Sequence, residues 1–232
     1  MRLPRVVLGV LVLVSAVRGE PPTPPDRFAA VRAELLEILQ ADQQVRLQLD
    51  ALDRAGNTDS PDRPALVRRM QEADAANLPK VEAILAQHGW LGPEEVGPEA
   101  NRTLFLVIQH SPAATQKKYL PLMREAVKAG KARGASLALL EDRVALGEGR
   151  PQTYGSQLRR DGDGPLYVQA IEDPDHLDER RAAVGLPPMA DYVKHWNLTW
   201  DLEAYKKELP RLLEKLALQR AASLRATPAS AK

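Results

Sequence analysis

Polar and charged residues that could do chemistry stand on helical stripes that are otherwise apolar. A residue whose neighbours three and four positions away are apolar shares their face, whatever its own polarity. By that test Asp42 points inward, with Ile38 and Leu39 before it and Val45 after it, and Arg46 lies four residues on, within reach of its carboxylate. Asp74 follows Met70 and precedes Leu78 on a second stripe, with Asn77 beside it, and His88 continues the line from Ile84 and Leu85. Gln109 and His110 close the most apolar run of the chain, and Asp142-Arg143 is flanked by Ala138, Leu139, Ala145 and Leu146. An unpaired buried charge costs several kcal/mol, so these groups must find one another or line a wet cavity.

The sequence supports three uses of such a cluster. One is a site for a small polar or peptidic ligand, lined by Gln109, His110, Trp90, Gln152, Tyr154 and Gln157, which combine stacking surface with two-way hydrogen bonding. The second is a hydrolase in which His110 is a general base oriented by Asp142, with Arg143 or Gln109 stabilising developing negative charge. No nucleophile accompanies it: Ser111 reads as a helix cap before Pro112 and Ser156 has no nucleophile-elbow context, so water would have to attack. The third is a purely structural network, Asp42, Arg46, Asp74, Asn77 and His88 fixing helix register while function lies with protein partners. No cofactor and no metal site is expected, because His88 and His110 lack the close spacing of zinc motifs. The stretch 161–172 has Asp161, Asp163 and Glu172 at calcium-loop positions, but Pro165 and Leu166 stand where a ligand and a glycine belong, so it reads as a turn. The acceptor triplets at Asn101 and Asn197 read as chance, the first lying inside an apolar helix.

Helices must position these groups. Apolar residues recur at three- and four-residue steps from Phe28 to Arg54, and the stretch 55–64 breaks the pattern. A second helix is expected over 65–88, kinked at Pro79, then a third after Pro98, a fourth after Pro112 interrupted at Pro121, and a fifth over 137–146. Residues 153–171 carry a hairpin signal around Asp161-Gly162-Asp163-Gly164, and residues 176–225 return to helix. The fold class is mainly α: a compact multi-helix domain over 28–200 with one short β-hairpin, an amphipathic helix over 201–225 and a disordered tail over 226–232.

Taken in order, Asp42-Gln43-x-x-Arg46, Asp74-x-x-Asn77, Gly89-Trp90, Gln109-His110, Asp142-Arg143 and Gln152-x-Tyr154-Gly155-Ser156-Gln157 resemble an uncharacterised, mostly helical bacterial family of unknown function, over roughly residues 30–190. The family usually has threonine where this chain has Ser156, and often proline where it has Leu91. The resemblance implies a shared fold and a shared polar cluster, and no reaction.

Residues 1–19 read as a secretory signal, with Arg2 and Arg5 before an apolar run too short to span a bilayer, and residues 20–27 as a proline-rich spacer. The expected location is exported, periplasmic or secreted, with no membrane attachment after cleavage. The full chain has 32 basic and 31 acidic residues. Cleavage after Ala16 removes Arg2 and Arg5, and cleavage after Gly19 removes Arg18 as well, so the mature net charge is −1 or −2. That balance leaves no electrostatic footprint for nucleic acid. The chain has no cysteine, so its core alone must hold it together.

Overall fold

The computed structural model describes residues 26–57, 59–162 and 164–226. The expected signal, nearly all of the spacer and the tail beyond Ala226 lie outside them. The fold is mainly α with a two-stranded antiparallel hairpin, as the sequence implied.

Three long helices make the first core. Helix α1 (Ala29–Arg54) packs on α2 (Arg63–His88) and on α4 (Pro98–His110), which also packs on α2; a single turn, α3 (Pro93–Val96), leads into α4. On α1 the buried line is Leu35, Ile38, Asp42 and Val45, so a carboxylate occupies a core position of an otherwise apolar stripe. On α2 the line is Asn77, Val81, Ile84 and Leu85. On α4 every residue from Thr103 to Ile108 is buried, which makes it the central helix. Gly89 ends α2 at φ 67°, a conformation that favours glycine, and turns the chain so that Trp90 and Leu91 enter the core. Helices α5 (Ala113–Lys128) and α6 (Gly134–Gly147) pack against each other, and Tyr119, Leu120, Met123, Leu140 and Val144 complete this core.

The second core lies beyond α6. Strands β1 (Leu158–Arg159) and β2 (Tyr167–Val168) pair with Leu158 opposite Val168 and Arg159 opposite Tyr167. A 3-10 turn (Pro174–His176), α7 (Leu177–Ala183), α8 (Met189–Lys194) and α9 (Leu202–Ala226) follow. Val168, Ile171, Leu177, Met189, Val193, Tyr205, Leu212 and Leu216 form one buried cluster, with Leu146 of α6 against it. Tyr192 and Trp200 join that cluster while Trp196 is exposed.

Several expectations change. Pro121 does not interrupt α5, which is continuous across it, and α6 starts at Gly134, ahead of the expected 137. The hairpin strands are two residues each, far shorter than the 153–171 signal, because the segment before β1 spends its N–H groups elsewhere. Ser111 does not cap α5 but donates its hydroxyl proton to the Ile108 carbonyl at 2.6 Å, closing the end of α4. No helix among the described residues is long and apolar enough to cross a membrane.

Candidate functional site

The three helices of the first core meet at one polar centre. His110 is the last residue of α4, and its Nδ1 lies 2.9 Å from Asp42 Oδ1 of α1. Arg46, one turn along α1 from Asp42, directs Nε to the same His110 Nδ1 at 3.1 Å and Nη2 to Asp74 Oδ1 of α2 at 2.7 Å. Its Nη2 also stands 3.7 Å from Asp42 Oδ1. Gln43 Nε2 donates to the other Asp42 oxygen at 2.7 Å. The Asp42 side chain is 1 % exposed, while His110, Arg46 and Asp74 are 18 %, 19 % and 23 % exposed, so the centre opens from a buried carboxylate toward water.

The two carboxylates are tuned in opposite directions. Burial acts to raise Asp42, but the hydrogen bond and charge of His110, with Gln43 and Arg46, outweigh it and hold the carboxyl below its ordinary range. For Asp74 burial wins over the attraction of Arg46 and His110, helped by repulsion from Asp42, and the carboxyl is raised. Three buried polar atoms on these helices lack a partner among the described residues: Arg46 Nη1, Asn77 Nδ2 and Gln109 Oε1. The Gln109 backbone carbonyl is tied down, accepting from Gln116 Nε2 at 2.9 Å.

The structure separates Asp142 from His110, which corrects the expected pairing. Asp142 is fully buried, and its carboxylate accepts the N–H groups of Thr153, Tyr154 and Ser156 at 2.7, 2.9 and 2.9 Å. With its oxygens so occupied it orients a loop, and the imidazole is oriented by Asp42. Burial raises the Asp142 carboxyl against the pull of those N–H groups. Gln152, also fully buried, has no free group for a ligand: Nε2 donates to the carbonyls of Gln157 and Gln169, and Oε1 accepts from the Gln157 N–H. Gln157 Nε2 donates to Ser156 Oγ at 2.9 Å. Gly155 sits at φ 66°, a conformation that favours glycine, and a Cβ there would stand only 3.0 Å from Ile171 Cδ1 and 3.2 Å from Met189 Sδ. The residues 152–157 are therefore a structural staple between α6 and the second core. Tyr154 is partly exposed, with its hydroxyl raised by burial and by neighbouring Glu141 and Asp142.

Two further expectations move. Trp90 is buried in the first core beside a cleft of about 360 Å³ lined by Pro98, Arg102 and Phe105. That cleft runs along α4 from Pro98 to Phe105, which at 1.5 Å per residue stops about 7.5 Å short of His110, so Trp90 does not line the His110 centre. His88 ends α2, about 21 Å along it from Asp74 by the same rise, and its ring stands edge-on to Phe28 at 5.7 Å. Arg143 is half-buried with Nε unpartnered, and burial lowers it against the favourable influence of Tyr192.

Sequence reasoning missed Arg181. It is fully buried, donating to the Pro187 and Tyr154 carbonyls at 2.7 and 2.5 Å, with its guanidinium 4.9 Å from the Tyr192 ring centre. The same spacing test marks it, with Leu177 four residues before it and Val184 three residues after, but the charged neighbours Glu179 and Arg180 hid the stripe. Also missed is a cleft of about 520 Å³ between the hairpin and α9, walled by Leu166, Val168, Val193, Leu198, Trp200 and Tyr205. Asn101, whose triplet read as a chance acceptor, is buried and donates through Nδ2 to the Leu91 and Lys131 carbonyls.

The model of one protein family, itself of unknown function, matches residues 29–205. No curated protein matches the chain, and no solved structure matches it.

Proposed function

Because the chain belongs to that family, DUF6624, which brings no reaction with it, we infer function from the centre itself: an exported protein that binds a small polar ligand at Asp42, Arg46, Asp74 and His110. One observation carries this reading. Three motifs far apart in sequence, Asp42-to-Arg46, Asp74-to-Asn77 and Gln109-His110, converge on one partly exposed cluster, whereas Asp142 and Gln152 are consumed by the fold. At this centre Arg46 Nη1 has no partner among the described residues. Export is supported by Arg2, Arg5 and the apolar run after them.

Hydrolysis is a second reading, favoured by the Asp42–His110 contact. A buried carboxylate on Nδ1 fixes the ring and leaves Nε2 without a hydrogen bond among the described residues, the arrangement a general base needs to take a proton from water.

The test is a thermal-shift screen of the chain from residue 20 onward, in chelator, against sugars, cell-wall fragments, nucleotides and amino acids. A ligand at a hundred times its dissociation constant stabilises by about 2.7 kcal/mol. The reading stands if His110→Ala loses the shift while remaining folded. It fails if ligand shifts survive that substitution. Complete loss of turnover on a hydrolysable hit, against graded loss of affinity, separates the enzyme from the binding module.

A further inference from the structure

His110 Nδ1 faces a donor and an acceptor at once. Arg46 Nε approaches it at 3.1 Å and Asp42 Oδ1 at 2.9 Å. A ring nitrogen either carries a proton and donates or carries a lone pair and accepts, so one of the two contacts is always unmet. Arg46 meanwhile touches every acidic group of the centre, at 2.7 Å from Asp74 and 3.7 Å from Asp42. The guanidinium thus occupies a point toward which two carboxylates and an imidazole all turn.

We propose that this point is a divalent metal site, with Asp42, Asp74 and His110 as ligands and Arg46 as the cation that holds it when no metal is bound. The proposal rests on the centre being the functional site and names what it takes. One ligand atom from each of the three residues lies within 4.8 Å of the others. A first-row ion bound at about 2.0–2.2 Å needs ligand atoms roughly 3–4.4 Å apart, so the closing motion is on the order of an ångström. The donors come from three packed helices and are held from behind. Gln43 Nε2 fixes one Asp42 oxygen at 2.7 Å and leaves Oδ1 to the centre, the outer hydrogen bond that metal-ligating carboxylates need. Asn77, 3 % exposed, stands one turn after Asp74 on the same face of α2 with its Nδ2 unpartnered among the described residues.

Metal binding also removes the conflict at Nδ1, because the ion takes lone pairs from the nitrogen and both carboxylates and asks none of them for a proton. One imidazole with two carboxylates suits Zn²⁺ or Mn²⁺ rather than Ca²⁺, which requires six to eight oxygens. Three protein ligands leave a coordination position for water or for the ligand's polar group, as catalytic sites do. Arg46, displaced outward, then stands beside an anionic ligand.

This arrangement makes an unusual demand on Arg46: it competes with the ion. Metal content and affinity are measured on the folded chain by mass spectrometry after dialysis and by titration with Zn²⁺ and with Mn²⁺. The expected result is one ion per chain, at least tenfold weaker binding in Asp74→Ala and His110→Ala, and at least tenfold tighter binding in Arg46→Met. Asp74 and His110, 23 % and 18 % exposed, lie on the open side of the centre, so these variants should fold, and circular dichroism checks that they do. A chain that takes up no stoichiometric ion even as Arg46→Met overturns the proposal, as does metal retained by a folded Asp74→Ala/His110→Ala double variant. The ligand screen in chelator is independent: ligand shifts lost in His110→Ala without any metal uptake sink the metal site and leave the binding reading in place.

Discussion

At the scale of single residues, Asp142 and His110 look alike in the sequence and do opposite work. Each carries a charged or ionisable group on an apolar stripe. Asp142 ends fully buried, with three backbone N–H groups on one carboxylate, so removing it strands donors that have no other partner. An unsatisfied buried N–H costs about 1–3 kcal/mol, and Asp142→Ala is expected to destabilise the chain by at least 3 kcal/mol in urea unfolding. Its effect on ligand binding should follow stability alone. His110, 18 % exposed at the end of a helix, strands only one contact of a buried carboxylate, and His110→Ala should cost no more than about 2 kcal/mol while abolishing ligand shifts. If Asp142→Ala removes binding from a protein still folded, or His110→Ala is the more destabilising of the two, the division between staple and centre is wrong. Spacing placed both residues on their stripes but could not say which other element would meet them. Asp42 and His110 are 68 residues apart, and nothing local pairs them.

At the scale of elements, the long helices were legible and the irregular joints were not. Helices α1 and α2 announce themselves through a 3.6-residue period sustained over 26 residues each, and burial of that stripe decides the matter. The segment 152–157 has residues typical of a strand and becomes one only as an isolated bridge from Gln152 to Ile171, because Asp142 captures the N–H groups a ladder would use. Proline was over-read: Pro121 stands inside α5 although its missing N–H should interrupt the helix, since packing of Tyr119, Leu120 and Met123 outweighs that loss. The joint between hairpin and α9 rests on Tyr205, whose hydroxyl accepts the Ile171 N–H at 2.7 Å and donates to the Gln169 carbonyl at 2.9 Å. Tyr205→Phe keeps the ring and leaves a buried N–H bare, so a loss of about 1–3 kcal/mol is expected in urea unfolding. A loss below about 0.5 kcal/mol would mean that water replaces the hydroxyl.

The same joint has a surface tie that answers to pH. Asp161 accepts from Lys215 of α9 at 2.7 Å and from Arg159 at 3.1 Å, with Tyr167 also bonded to it, and these partners lower its carboxyl to about 2. A carboxyl lowered by folding adds stability above its unfolded value near 4, and that contribution fades as pH falls toward 2. Carbon-detected titration of Asp161 should give a midpoint near 2 in the native chain and a higher one in Lys215→Met, short of the unfolded value because Arg159 and Tyr167 remain. Identical midpoints would show that Lys215 is not what holds the carboxylate ionised.

At the scale of the whole molecule, the two cores differ in depth, and among the described residues α6 is the only long helix that contributes to both. Leu140 and Val144 belong to the first core, Leu146 packs on the second, and Asp142 between them holds the staple. The first core is built by long helices around a helix buried on all sides. The second is closed by a two-residue ladder, short helices and one face of α9, whose far end exposes Leu218 and Leu224. Free energies of local opening follow buried apolar contact, so the second core should open well below global unfolding. Native-state hydrogen exchange is expected to rank α4 and the inner faces of α1 and α2 as most protected, with amides of β2, α7 and α8 exchanging through openings lower by at least 2 kcal/mol. Because Asp42, Asp74 and His110 all belong to the first core, Zn²⁺ or a bound ligand should slow exchange there and leave the second core almost unchanged. Equal slowing in both cores would mean that the centre and the staple form one cooperative unit through α6, and the polar residues divided here between site and scaffold would have to be read as a single network.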